Sequence, residues 1–274
     1  MGYIASALLA AWISCGEAAE EWPLVVTADR SDQCTQALSL GRQQAVSGGL
    51  STPFSLLNWN VEKAEHPGLV MEFAAFAKSS DLIFLQEAVP LKKNEAVIEQ
   101  SLYEAFVRGY VQNEIDTGVL TLARTPHLVH CHLLSTEPWL RTPKATSVTL
   151  YPLAESDDSL LTINLHAMNF SIGVKAYREQ LATAAELIRT HRGPVIFGGD
   201  LNTWSNRRQA ALDALAHDLR LTPVPFSPDH RTSRFDRPLD HLYVRGLTWL
   251  SSKTVQVETS DHNPLIVTLQ RHDS

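Results

Sequence analysis

Between residues 54 and 270 the chain is a series of short apolar runs broken by turn residues, and two periods of hydrophobicity recur in it. Phe54–Val61 reads as a strand, and Leu82–Leu85 is a continuous apolar run, as in a strand buried on both faces. Leu69–Lys78 spaces its apolar residues by three and four, which predicts a short helix. Residues 92–107 read as another helix. Gly118–Ala123, Leu128–Leu133, Ala145–Pro152 and Leu160–His166 are strand candidates. Val174–Thr190 has the clearest helical period, with Ala176, Leu181, Ala184, Leu187 and Ile188 on one side. Pro194–Gly199 is a further buried strand, followed by a helix near Ser205–Leu219 and a Pro- and Arg-rich loop over 221–238. Strands at Leu239–Val244, Lys253–Thr259 and Leu265–Gln270 close the series. Strands outnumber helices, and no repeat of solenoid length occurs. Strand-rich segments at both ends with helices between them predict two sheets packed face to face and covered by helices outside, one domain spanning about 53–270.

The first 52 residues differ. Residues 20–52 hold no sustained period and carry Ser-Gly-Gly and Ser-Thr-Pro punctuation, so an irregular N-terminal arm is expected there. Ile4–Ile13 is a mostly apolar run of secretory length, with small residues at Ser14 and Gly16, but no Lys or Arg precedes it and Trp12 is bulky. Cytoplasmic location is the first expectation, and export, or a periplasmic location, through the N-terminal apolar segment is the alternative. Hydrophobic residues at 44% and charged residues at 19% suit a packed globular protein rather than a disordered one. No run of eighteen apolar residues occurs, so no transmembrane helix is predicted. Three cysteines (15, 34 and 131) are too few for a disulfide scaffold and lack zinc-knuckle spacing. A net charge of −7 argues against a general electrostatic grip on DNA or anionic lipid. It leaves phosphate substrates open, because a bound divalent cation supplies local positive charge.

Chemistry gathers where strands end. Asn60 closes the first strand, Glu87 follows the second, and His166 closes Leu160–Leu165. Asp200 and Asn202 follow Val195–Gly199, Asp240 and His241 sit in the strand after the Arg-rich loop, and Ser260-Asp261-His262-Asn263 precedes the last strand. Singly, each has an ordinary explanation as a turn residue, a helix cap or a satisfied core-edge histidine. Together they form a set of hard oxygen ligands and two histidines with no cysteine nearby. That inventory suits Mg²⁺, with Mn²⁺ able to substitute, and attack on phosphorus.

Trp59-Asn60-Val61, Leu85-Gln86-Glu87, Asn164-Leu-His166, Gly199-Asp200-Leu-Asn202, Leu239-Asp240-His241 and Ser260-Asp261-His262-Asn263-Pro264 occur in that order. The ordered set resembles the endonuclease/exonuclease/phosphatase superfamily, which includes exonuclease III-like AP endonucleases, deoxyribonuclease I, sphingomyelinases and inositol polyphosphate 5-phosphatases. His166-Ala-Met-Asn-Phe-Ser-Ile-Gly and the Arg-Pro-Leu-Asp at Asp240 look like its bacterial YafD-like branch. The resemblance implies an α/β fold, a four-layer αββα sandwich with the site at one open end of both sheets. It also implies a metal-dependent phosphodiesterase. Asn60 and Glu87 would be metal residues, with Asp261 beside the metal. Asp200 and Asn202 would align the attacking water and contact the phosphate. Asp240 would pair with His262, the base or phosphate stabiliser, and His166 would be the acid. AP endonucleases have a tyrosine in place of His166, which argues against that assignment.

Substrate choice would rest on variable loops. Asn169 offers a further phosphate contact, and Arg231, Arg234 and Arg237, with Arg207 and Arg208, would form a phosphate-gripping rim. Phe235 and Trp204 would stack on a base or pack locally. The first expectation is a monomeric nuclease acting on DNA or RNA. A phospholipid or sugar-phosphate phosphodiesterase or phosphatase is the alternative, favoured if an apolar loop lies near the site. A non-catalytic phosphate-binding protein is the reading from another class.

Overall fold

The computed structural model describes residues 25–90 apart from 45 and 47, and 102–272 apart from 113, 170 and 172. The apolar run at 4–13 and most of the helix expected over 92–107 lie outside the described residues.

In chain order the elements are β1 (Val26–Ala28), α1 (Ser31–Gly41), β2 (Phe54–Asn60), a short 3-10 turn (Glu62–Ala64), α2 (Leu69–Lys78) and β3 (Leu82–Ala88). There follow β4 (Tyr103–Gln112), β5 (Ile115–Ala123), β6 (Val129–Thr136), β7 (Pro143–Pro152), β8 (Ser159–Leu165), α3 (Lys175–Thr190), β9 (Val195–Asp200) and α4 (Asn206–Asp218). The remainder is β10 (Thr222–Pro223), β11 (Ser233–Arg234), β12 (Arg237–Pro238), β13 (Asp240–Arg245), β14 (Leu247–Thr254) and β15 (Leu265–Arg271). One mixed sheet runs β1-β6-β7-β8-β9-β13-β10 and the other β14-β15-β2-β3-β5-β4; β11 and β12 form a separate hairpin.

The alternation of each strand divides the core into layers. Phe54 and Leu56 of β2 join Leu82, Phe84, Leu160, Ile196, Leu242 and Leu265 between the sheets. Leu57 and Trp59 point the other way, against Leu69, Phe73 and Ala77 of α2. On the far side, Leu161, Ile163, Val195 and Phe197 pack under α1, α3 and α4. Helices therefore cover both outer faces, and the expected αββα sandwich is what the chain forms. Along the inner faces the apolar residues give way to polar ones toward a single end: Leu56 to Asn58 to Asn60, Phe84 to Gln86, and Leu160 to Asn164 to His166. Gln86 donates to Asn58 Oδ1 at 3.0 Å and to Asn164 Oδ1 at 2.7 Å, tying the two sheets with buried amides just below that end. These bonds offset part of the cost of burying the amides, although Asn58 Nδ2 and Gln86 Oε1 are left without a partner.

Three expectations are corrected. The segment 20–52 is not simply irregular: β1 pairs in parallel with β6, and α1 buries Cys34, Ala37 and Leu38. Cys34 and Cys131 form a disulfide with Cα atoms 5.7 Å apart, anchoring α1 to β6 across 97 residues of sequence. Tyr103–Val107, expected as the end of a helix, starts β4, because Ala105 and Val107 alternate inward against β5. Finally, β14 begins at Leu247 and ends at Thr254, so 255–259 is loop rather than strand.

Candidate active site

Strand directions decide which ends meet. β6, β8 and β9 finish, and β7 and β13 begin, at the same end of the seven-stranded sheet. In the six-stranded sheet, β2 and β3 finish there while β5 and β15 begin. Lys144, His166, Asp200 and Asp240 consequently stand in a row on four neighbouring strands, β7-β8-β9-β13, opposite Asn60 and Glu87. Asn60 Nδ2 closes the gap between sheets by donating to Asp200 Oδ2 at 3.1 Å.

Backbone irregularities aim the side chains. Simple alternation would turn Glu87 outward with Leu85, but two residues of β3, Gln86 and Glu87, lie opposite the single Val119 of β5, and Glu87 takes a left-handed φ of 50°. This bulge redirects the carboxylate into the site. Asn202, also left-handed at φ 49°, donates its backbone N–H to Asp200 Oδ1 at 3.1 Å and its side-chain amide to the Ala167 carbonyl at 3.1 Å. Asparagine tolerates that conformation better than most residues. Gly199 is dictated by space: a Cβ there would meet the Leu165 carbonyl oxygen at 2.1 Å.

The two histidines have opposite surroundings. His262 Nδ1 bonds Asp240 Oδ2 at 2.7 Å, and its carbonyl accepts Trp59 Nε1–H at 2.8 Å. Burial opposes a charge on this imidazole, but the carboxylates of Asp240, Asp200 and Asp261 outweigh it and push the pKa up to about 10. His166 Nε2 instead lies 3.0 Å from Lys144 Nζ, with Asp200 Oδ2 at 3.5 Å and Glu87 Oε1 at 3.8 Å. Burial, and then the charges of Lys144 and His262, hold it well below the ordinary imidazole range. A neutral His166 therefore accepts a hydrogen bond from Lys144 at Nε2. Burial raises Asp200 to about 6, with Asp240 adding to the shift and His262 opposing it.

Lys144 and Lys63 were not singled out from sequence. Lys144 is buried at the start of β7, and Lys63 pairs with Glu87 Oε2 at 2.9 Å from the left-handed turn Glu62–Ala64. A lysine at a strand end normally marks solvent, so neither had a signal. Other expected residues are placed as follows. Asp261 is exposed next to His262 and is tied through its backbone, which meets Glu62 and Thr232. Asn169 accepts from Trp204 Nε1 at 3.1 Å, and its own N–H donates to Glu137 at 2.7 Å. Trp204 thus packs locally, under the guanidinium of Arg208. Arg208 leaves the proposed rim: it is 1% exposed and donates to the carbonyls of Met168, Asn202 and Asn169. Arg231 is half-buried, bonded to Asp229 at 2.7 Å and lying over the Phe226 ring. Arg234 and Arg237 remain on the β11–β12 hairpin, with Phe235 exposed at its tip.

Whether these residues suit a divalent cation follows from their donors. Among the described residues no three His, Cys, Asp or Glu side chains converge as a ready-made ligand cage. Mg²⁺ asks for less, since it keeps most of its waters and takes one or two carboxylates. Glu87 already faces a cation, the Lys63 ammonium, and Asp240 Oδ1 is buried without a hydrogen-bond partner. The hard oxygens of Glu87, Asn60 and Asp200 fit such an ion.

Comparison with known proteins agrees with this architecture. Residues 57–262 match the Endonuclease/Exonuclease/phosphatase family. A UPF0294 protein of Vibrio parahaemolyticus is 36% identical over 221 residues, covering 80% of this chain and 78% of that protein. The mannosyl-6-phosphatase Bt3783 of Bacteroides thetaiotaomicron has a similar fold, with a TM-score of 0.58 at 17% identity over 79% of this chain and 99% of that one. So does D. rerio TDP2 complexed with a single-strand DNA product, with a TM-score of 0.56 at 16% identity over 80% and 99%. Those two likenesses concern the fold alone. The family match and the UPF0294 relative carry the assignment: the chain belongs to the Endonuclease/Exonuclease/phosphatase family.

Proposed function

We propose that the protein is a metal-dependent hydrolase of phosphodiesters. The observation that carries this reading is the row Lys144, His166, Asp200, Asp240 with His262 above it, facing Glu87 across the mouth. In this reading the cationic side chains of Lys144 and His262 and the carboxylate of Asp200 act together on one phosphate. His262, charged through Asp240, donates to a non-bridging phosphate oxygen and stabilises the charge that builds there. Asp200, with its pKa near neutrality, takes the proton of an attacking water. The Lys144–His166 pair holds the proton for the leaving oxygen, so the acid expected of His166 alone becomes a shared function of two residues. A Mg²⁺ ion held by Glu87 and Asn60 supplies electrophilic assistance to the phosphate when bound.

Nucleic acid was the first substrate expected from sequence. With Arg208 buried and Arg231 occupied, the basic rim that supported it shrinks to Arg207, Arg234 and Arg237. The Cys34–Cys131 disulfide supports export over the cytoplasm, since buried disulfides persist where thiols are oxidised.

The test is hydrolysis of plasmid DNA, RNA, sphingomyelin, inositol phosphates and the soluble ester bis(4-nitrophenyl) phosphate, with Mg²⁺ or with EDTA. Activity should need the cation, and Glu87→Gln should remain folded yet lose about 10²-fold or more, because an amide is a poor ligand for a hard ion. A folded Glu87→Gln protein of normal activity at low Mg²⁺ defeats the metal assignment. Phosphate binding without turnover of any ester would leave a binding protein instead.

A further inference from the structure

The described residues include eleven exposed large hydrophobic side chains, and five of them surround the active-site mouth. Val111 and Ile115 flank the β4–β5 turn, Trp139 and Leu140 lie on the β6–β7 loop, and Phe235 tips the β11–β12 hairpin. All three connections lie at the end of the sandwich that carries Glu87 and Asp240. Ile115 stands three residues beyond Gly118, the partner of Ala88, which carries the paired β4–β5 ribbon roughly 10 Å past the end of β3. Gly109 of β4 abuts the Pro143 carbonyl where β7 begins, so that turn and the β6–β7 loop are neighbours. Glu114, Arg141, Phe235 and Asp236 all have left-handed φ, so each of the three connections contains a tight reversal.

Charge on these segments is nearly balanced, with Arg108, Arg141, Arg234 and Arg237 against Glu114, Asp116 and Asp236, although the chain carries −7. Outside the mouth, between α2 and the outer face of the six-stranded sheet, is a pocket of about 600 Å³ walled by Val61, Leu69, Phe73, Leu85, Ile115 and Leu120, with Lys63, the partner of Glu87, at its side. Bases stack on aromatic rings, but they have no use for Val111, Ile115 and Leu140. Mixed aliphatic and aromatic tips with arginines among them match the interface of a bilayer, where apolar side chains enter the acyl boundary and guanidinium groups meet headgroup phosphates. The balanced charge fits a zwitterionic surface rather than an anionic one.

We infer that the β4–β5, β6–β7 and β11–β12 tips form a docking surface for a zwitterionic phospholipid bilayer. The mouth then faces phosphodiester headgroups. This inference rests on the proposed hydrolysis of phosphodiesters for its substrate, though not for the docking itself.

Co-sedimentation of the full chain with phosphatidylcholine vesicles tests it. Wild type should pellet with the vesicles, and Trp139→Glu and Phe235→Glu should each weaken partition about tenfold or more, since burying an aromatic side chain is worth at least that factor. Leu250→Glu, at an exposed apolar site on β14 away from the mouth, should change nothing. Turnover of bis(4-nitrophenyl) phosphate should be unaltered in all three variants, which also shows that they fold. Unchanged vesicle binding in the Trp139 and Phe235 variants overturns the inference. So does failure of wild type to pellet, tighter binding to a single-stranded oligonucleotide through the same residues, or self-association that these substitutions abolish. Vesicle binding by a wild type inert toward every ester would remove the proposed function and leave the docking surface in place.

Discussion

His262 and His166 belong to one site, are both buried, and end in different charge states, one cationic and one neutral. Asp240 lies 2.7 Å from the first and outweighs the cost of burial, so the imidazolium persists. Lys144 lies 3.0 Å from the second and adds to that cost, so the neutral ring persists. A histidine's role is thus set by the side chain opposite it. The His262 side carries positive charge on the imidazole itself, whereas the His166 ring is neutral and hydrogen-bonded to a lysine.

The largest expected effect comes from breaking the first pair. Asp240→Asn should cut kcat by about 10³-fold or more, as loss of a carboxylate orienting an imidazole does elsewhere. The His262 resonance, followed by NMR, should titrate several units lower. If His262 keeps its charge in this variant, Asp240 is not what distinguishes the two histidines.

A smaller loss is expected on the other side. His166→Ala and Lys144→Met should each slow an alkoxide-leaving ester by about 10²-fold, and the double variant should be no worse, because the two act as a unit. On a nitrophenyl ester, whose leaving group needs no proton, both should lose far less. Additive losses, or equal losses on both esters, would reassign the pair to holding phosphate.

The smallest effect is on stability, and its sign differs between the histidines. The folded pKa of His262 is raised, so its contribution is complete below about 6.5, the unfolded value, and declines as pH rises through about 10. The folded pKa of His166 is depressed, so its contribution is complete above that value and is lost as pH falls. Burial also depresses His127, His191 and His241, each to about 4, and they share the acid limb. The alkaline limb is cleaner, because Tyr110 and Tyr243 are raised by burial to about 12. Urea unfolding from pH 6.5 to 10 should show wild type losing up to a few kcal/mol that Asp240→Asn does not lose. Parallel curves would separate the charge of His262 from its bond to Asp240.

What the sequence revealed follows the same division. Asn60, Glu87, His166, Asp200, Asp240 and His262 are legible because each polar residue interrupts an apolar strand end, and their order along the chain adds a second signal. α2 and α3 are legible because their apolar residues keep one period. Lys144 is invisible to this reasoning, since nothing local tells a buried lysine from a solvated one. Arg208 misleads for the converse reason: its charge suggests a surface, while its carbonyl partners lie far away in sequence. β1 is three residues long and has no period to detect, and the partners of its disulfide anchor are 97 residues apart. Long-range pairing decides all of these.

β15 lies inside its sheet, between β14 and β2, although it is the latest described strand along the chain. The loop that leads into it brings His262 to Asp240 and Ser260 to the Asn60 carbonyl. During synthesis those contacts wait for residues 260–271 to leave the ribosome. A half-made chain has no imidazole opposite Asp240, and β2 has an open edge where β15 will lie. The candidate site is therefore assembled only after both sheets have been supplied with their strands, so its geometry and the closure of the β2 edge arise in one event.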